Sequence, residues 1–136
     1  MPASLDTNCL LRWVLMDVPS QALSIQRLID SGKPYEVYDA ALIEMIFVLE
    51  KVKEIERPLI HQVIQAIFSE PGLRCDRELF ELAFVGYLEH KSLSFMDCYL
   101  VAKATMREGL PLLTFDKALS NKLPMQVSLV PKDALP

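Results

Sequence analysis

Apolar residues recur along this chain with helical spacing in some stretches and as short β-branched or aromatic runs in others. Residues 1–5 are a short apolar lead into Asp6 and read as a strand. Residues 7–16 read as a helix, broken by Asp17-Val18-Pro19-Ser20. Ser20 is placed to cap the next helix, which carries Ala22, Ile25 and Ile29 on one face and stops near Gly32. Residues 35–38 are aromatic and β-branched and predict a strand. Asp39 is placed to cap a helix over residues 40–53. Pro58 suits the first turn of another helix, in which Leu59, Ile60, Val63, Ile64, Ile67 and Phe68 repeat cleanly. Pro71-Gly72 ends it, and residues 73–75 suggest a short strand. Asp76 then caps a helix with Leu79, Phe80, Ala83, Phe84, Tyr87 and Leu88 on one face. Ser94 opens a helix that ends at Gly109. Residues 111–115 read as a buried strand, Asp116 starts a short helix, and residues 127–130 read as a last strand.

Short strands alternating with helices predict an α/β fold with a parallel sheet. The length, 136 residues, suits a single domain over residues 1–136. Open sheets of this kind place their sites beyond the carboxyl ends of the strands. Asp6 and Asp116 fall there, each just after a predicted strand.

Composition narrows the class. The chain is 51% hydrophobic, enough for one core, and shows no repeat and no low-complexity linker. Its most apolar stretch, residues 40–49, is interrupted by Glu44 and is far short of the roughly 20 residues that span a bilayer. The opening residues lack the basic-then-apolar pattern of a secretory signal, so the expected compartment is the cytoplasm. The three cysteines, Cys9, Cys75 and Cys98, are odd in number and widely spaced, which predicts reduced thiols rather than a disulfide framework or a zinc motif. His61 and His90 stand far apart and read as surface residues. The net charge of −4 weighs mildly against a nucleic-acid substrate. If four acids held metal, however, the rest of the chain would be neutral.

Four acids stand out. Glu44 lies among Ala-Ala-Leu-Ile-Glu-Met-Ile-Phe-Val-Leu, which predicts a helix buried on most faces. A buried carboxylate requires a cation, a donor or a raised pKa, so Glu44 either holds metal or pairs with a Lys or Arg of another element. Asp97, in Ser94-Phe95-Met96-Asp97, has capping-box spacing and fits a helix cap as readily as a site. Asp6 and Asp116 likewise fit plain N-caps. Together, three lie at helix starts and one on a buried helix, and such a fold would bring those starts to one rim of the sheet. Two carboxylates about 4 Å apart repel by roughly 4 kcal/mol at an effective dielectric near 20. A divalent cation relieves that repulsion. An all-carboxylate set suits Mg²⁺ or Mn²⁺, and such an ion activates water and stabilises charge on a phosphodiester.

These residues resemble the PIN domain and, in length, the VapC-type toxins within it. Leu5-Asp6-Thr7-Asn8-Cys9-Leu10-Leu11 is similar to the opening motif of that family, and Glu44 sits where its second acid is expected. Ser94-Phe95-Met96-Asp97 is similar to the third motif, and Leu113-Thr114-Phe115-Asp116-Lys117-Ala118-Leu119 to the fourth. The resemblance covers nearly the whole chain. It implies a three-layer α/β/α sandwich around a mostly parallel sheet, and Mg²⁺- or Mn²⁺-dependent hydrolysis of single-stranded RNA. Asp6, Glu44, Asp97 and Asp116 would bind metal, with Asn8 and Thr114 steadying the site or touching phosphate. It further implies a homodimer and a small antitoxin partner. Four positions depart from the usual pattern. Cys9 and Cys98 replace small or aliphatic residues, Ser94 replaces an acid often seen there, and Ala118 leaves no further acid after Asp116.

Two other classes remain in view. One is a catalytically inactive PIN-like module that binds RNA or protein. The other is a different Mg²⁺ phosphohydrolase. A haloacid-dehalogenase-type enzyme would want Asp-x-Asp, whereas Asn8 stands two after Asp6. A Rossmann or P-loop enzyme would need a Gly-rich turn, which the chain lacks.

Overall fold

The computed structural model describes residues 2–133; Met1, at the start of the expected first strand, and residues 134–136 lie outside them. The chain divides into two compact units between Arg77 and Glu78. Each holds a small parallel sheet flanked by helices, which makes the fold α/β with parallel strands.

In the first unit β1 (Ala3–Ser4), β2 (Tyr35–Glu36) and β3 (Leu73–Arg74) pair in that order. Ala3 lies opposite Tyr35, and Tyr35 opposite Leu73. The ladder runs on past the strand ends, with Leu5 N–H donating to Glu36 O at 3.0 Å and Val37 N–H to Arg74 O at 2.8 Å. This pairing delivers Asp6 to the carboxyl end of β1.

The helices of this unit are α1 (Thr7–Leu15), α2 (Pro19–Asp30), α3 (Asp39–Phe47) and α4 (Arg57–Phe68). Helix α3 continues into a π-helical turn, Val48–Val52. Met16 closes α1 in the left-handed conformation at φ 56°. Two expected caps are displaced. Val18 and Pro19 open α2 ahead of Ser20, because proline is pre-set for the first helical position. Asp39 lies inside the first turn of α3, with Tyr38 as its N-cap. Helix α1 packs on α2 and α3, while the π turn contacts α3 and α4. Leu10, Leu42, Met45, Ile46, Leu49, Ile60, Ile64 and Ile67 form the fully buried core. Arg57 reaches back to Glu50 on the π turn, Nε to Oε2 at 2.8 Å, with both side chains largely buried.

In the second unit α5 (Arg77–Glu89) leads to α6 (Phe95–Met106), β4 (Leu112–Thr114), α7 (Lys117–Lys122) and β5 (Val127–Leu129). Strands β4 and β5 pair in parallel, Leu112 opposite Val127. Strand β4 was expected to be buried, but Leu113 is 55% exposed and its neighbours are half-buried. Successive side chains of a strand point to opposite faces, so Leu113 faces away from Leu112 and Thr114, toward the open side of β4. The core is aromatic: the Phe95 ring lies 4.9 Å from Phe84, 5.2 Å from Tyr87 and 5.7 Å from Phe80. No described helix is long and apolar enough to cross a membrane. All three cysteines are free thiols, with Cys98 buried and Cys9 and Cys75 half-buried.

Candidate active site

Asp6 leaves β1 in an extended conformation and caps α1. Its Oδ1 accepts the Cys9 backbone N–H at 2.8 Å, and its carbonyl accepts the Leu10 N–H at 3.2 Å. The cap bond from the Cys9 amide, helped by the Cys9 thiol, holds the Asp6 carboxyl below its usual range. Asp6 is exposed and ionised at neutral pH, as a cation ligand must be.

Thr7, the next residue, points the other way. With Leu10 and Leu11 it forms the buried stripe of α1. Its hydroxyl lies 3.1 Å from the Ala41 carbonyl and 3.2 Å from Glu44 Oε2, so one proton is shared between two acceptors on α3. Thr7 thereby ties the backbone position beside Asp6 to the Glu44 carboxylate. Sequence reasoning passed over this residue. The available signal was a hydroxyl at the first position of an otherwise apolar helical stripe.

Glu44 corrects an expectation. It is exposed, not buried. Ala40, Glu44 and Phe47 form the outer stripe of α3, while Leu42, Met45 and Ile46 face the core. Apolar composition on every face concealed this division: Phe47 is 58% exposed. Desolvation therefore does not force a cation onto Glu44.

In the second unit Ser94 caps α6. Its Oγ accepts the Asp97 backbone N–H at 3.1 Å, so the cap is the Ser94 hydroxyl and the Asp97 carboxylate projects from the first turn, half-buried. Asp116 follows β4 and caps α7, Oδ1 accepting the Leu119 N–H at 3.2 Å. Thr114 accepts the Asp116 N–H at 3.0 Å through its hydroxyl, which fixes the turn that carries this acid. Asn8 is exposed on the first turn of α1.

The four acids thus divide two and two: Asp6 and Glu44 flank Thr7 in the first unit, and Asp97 and Asp116 belong to the second. Within neither unit do the described residues assemble three His, Cys, Asp or Glu side chains into a metal site. Asp17, Glu50, Glu36 and Glu89, none of them among the four, take part in ion pairs. The donors at Asp6 and Glu44 are all oxygen, which fits a hard divalent cation. Zinc, which favours His and Cys donors, suits this pair of carboxylates less well.

Comparison with curated proteins gives no match. The family model of the PIN domain matches residues 3–122, a stretch that contains all four acids and the helix caps at Asp6, Ser94 and Asp116. The chain therefore belongs to the PIN-domain family, whose members are generally metal-dependent nucleases.

Proposed function

We propose that this protein is a divalent-metal-dependent endoribonuclease and the toxin of a toxin–antitoxin pair, with residues 1–136 acting as one cytoplasmic nuclease domain. Asp6, Glu44, Asp97 and Asp116 hold Mg²⁺ or Mn²⁺. Asn8 and Thr114 support the site. The single observation that carries the reading is the Asp6–Thr7–Glu44 arrangement. Asp6, ionised, caps α1 directly ahead of the buried Thr7, whose hydroxyl lies within hydrogen-bond distance of the Glu44 carboxylate.

The chain's own residues orient oxygen donors. The α1 and α7 caps fix Asp6 and Asp116, Thr7 steadies Glu44, and Ser94 sets the first turn that carries Asp97. When bound, the cation supplies a more acidic water and a positive charge against the phosphodiester. No side chain then has to act as a nucleophile. RNA is the substrate, a small antitoxin the partner and a homodimer the working form.

The test is cleavage of total RNA, with sites mapped in Mg²⁺ and in excess chelator. Asp97→Asn keeps the fold and loses metal-dependent cleavage. Undiminished cutting by that variant, or by wild type in chelator, overturns the mechanism. The alternative is a PIN-like module that binds RNA or protein without cutting. One observation favours it: neither unit assembles three metal donors among its described residues. A wild-type protein that binds RNA and leaves it intact in Mg²⁺ establishes that alternative.

A further inference from the structure

Beside Asp6 the first unit carries a cavity of about 440 Å³, lined by Asp6, Asn8, Cys9 and Arg12 of the β1–α1 segment and by Gln21, Ser24 and Ile25 of α2. Its size falls in the range of small-ligand sites. Asn8 and Arg12 are four apart on α1 and so share a face. Arg12 is not a loosely solvated side chain. Its Nη1 donates to Asp17 Oδ2 at 2.8 Å and its Nε to Gln21 Oε1 at 3.1 Å. These two bonds fix the plane of the guanidinium against the cavity wall. They leave Nη2 as a donor, with 38% of the side chain exposed. The Gln21 amide, oriented by its bond to Arg12, presents its N–H₂ as a second donor, and Asn8 carries a third. Asp6 is the anionic lining residue, and Asp17 is a second carboxylate on the far side of the Arg12 guanidinium; a cation held at Asp6 would offset the first.

We infer that this cavity seats a nucleotide of the RNA strand next to the scissile bond, with its phosphate on Arg12. The inference rests on the nuclease reading and deepens it. Along the axis of α1 the backbone of Arg12 lies about 9 Å beyond that of Asp6, and both side chains line the one cavity. A guanidinium prefers such a site because its planar fork matches phosphate oxygens. Asp17 and Gln21 act as positioning residues that hold the fork in place. The competing explanation is an Arg12–Asp17 ion pair that merely secures the α1–α2 turn.

Two variants separate these explanations. Affinity for a short, labelled single-stranded RNA of mixed sequence is measured with the full chain in Ca²⁺ across a salt series. Arg12→Gln weakens binding about tenfold and lowers the slope of log affinity against log salt by about 0.7, as loss of one phosphate contact on a single strand requires. Asp17→Asn breaks the same ion pair but leaves the cation, so its salt slope stays at the wild-type value. In Mg²⁺, cleavage by Arg12→Gln shows a raised KM and a nearly unchanged kcat. If Arg12→Gln keeps the wild-type affinity and salt slope, or if Asp17→Asn changes the slope as much, the phosphate site is overturned while the nuclease reading stands. If wild type binds no RNA at all, both fall.

Discussion

Asp6 meets two demands at once, and substitution separates them. As an N-cap it contributes through one oxygen accepting the Cys9 amide; as a ligand, in the proposed function, it would contribute through charge. Asn caps about as well as Asp, whereas Ala loses about 1 kcal/mol. Asp6→Ala is therefore expected to lower unfolding free energy in urea by about 1 kcal/mol. Asp6→Asn should stay within a few tenths of wild type and still lose metal-dependent cleavage. Equal stability of all three proteins would show that the cap bond contributes nothing. Thr7 makes a complementary case. Thr7→Val is nearly isosteric but removes the shared donor to Ala41 and Glu44, at a cost of about 1 kcal/mol. Cleavage falls with it, because Glu44 loses its anchor, and Thr7→Ser restores both. A Val variant with full activity would remove Thr7 from the site. Glu44 itself is exposed, so Glu44→Gln is expected to shift stability by less than about 0.5 kcal/mol while weakening metal binding.

The helices show which features of this fold are written locally and which are not. Clean amphipathic spacing located α4 and α5 well: Ile60, Ile64, Ile67 and Phe68 are buried on the first, and Leu79, Phe80, Ala83, Phe84 and Tyr87 on the second. The caps at Asp6, Ser94 and Asp116 were equally legible, since each is a short polar side chain just ahead of a helix. Helix α3 was misread because its pattern is apolar on every face, and periodicity then carries no information about which stripe meets solvent. The π turn at Val48–Val52 left no local mark either. What anchors that turn is non-local: Arg57 bonds Glu50 in a site where the two side chains are 12% and 17% exposed. Removing one member of a buried pair is costlier than losing a surface pair, at about 3 kcal/mol or more when burial is complete. Arg57→Met is expected to cost about 2 kcal/mol in urea unfolding, the residual exposure lowering the penalty. A loss under about 0.5 kcal/mol would mark the pair as a solvated surface contact. Burial also pushes the Cys75 thiol up, more strongly than Arg77 pulls it down. Only the thiolate alkylates, so native Cys75 should react with iodoacetamide more slowly than a free thiol at pH 8 and keep accelerating above pH 9. A native rate equal to that of the urea-unfolded protein would contradict this.

The family match runs from residue 3 to residue 122 and so crosses the division at Arg77 and Glu78, with two of the four acids on each side. That distribution explains why no single motif was decisive in the sequence: each acid has an adequate local role as a helix cap, a first-turn residue or an exposed helix residue. On the proposed reading the cation would also be a folding ligand. An ion that needs carboxylates from both halves binds the folded chain and not the unfolded one, and it stabilises by RT ln(1 + [L]/Kd). At a hundredfold excess over Kd that is about 2.7 kcal/mol, equivalent to a rise in Tm of about 10 °C for a chain of this length. The chain carries a net charge of −4, so added salt alone relieves some self-repulsion. The measurement is therefore a thermal melt at fixed ionic strength, with Mg²⁺ exchanged against Na⁺. Wild type should gain several degrees in Mg²⁺. Asp97→Asn and Glu44→Gln, each of which removes one of the proposed ligands, should each lose most of that gain. Arg12→Gln, which touches no carboxylate of the set, should keep it. A wild-type Tm indifferent to the exchange, or a gain that survives both ligand substitutions, would mean that the increase came from screening and that the four acids do not act on one ion.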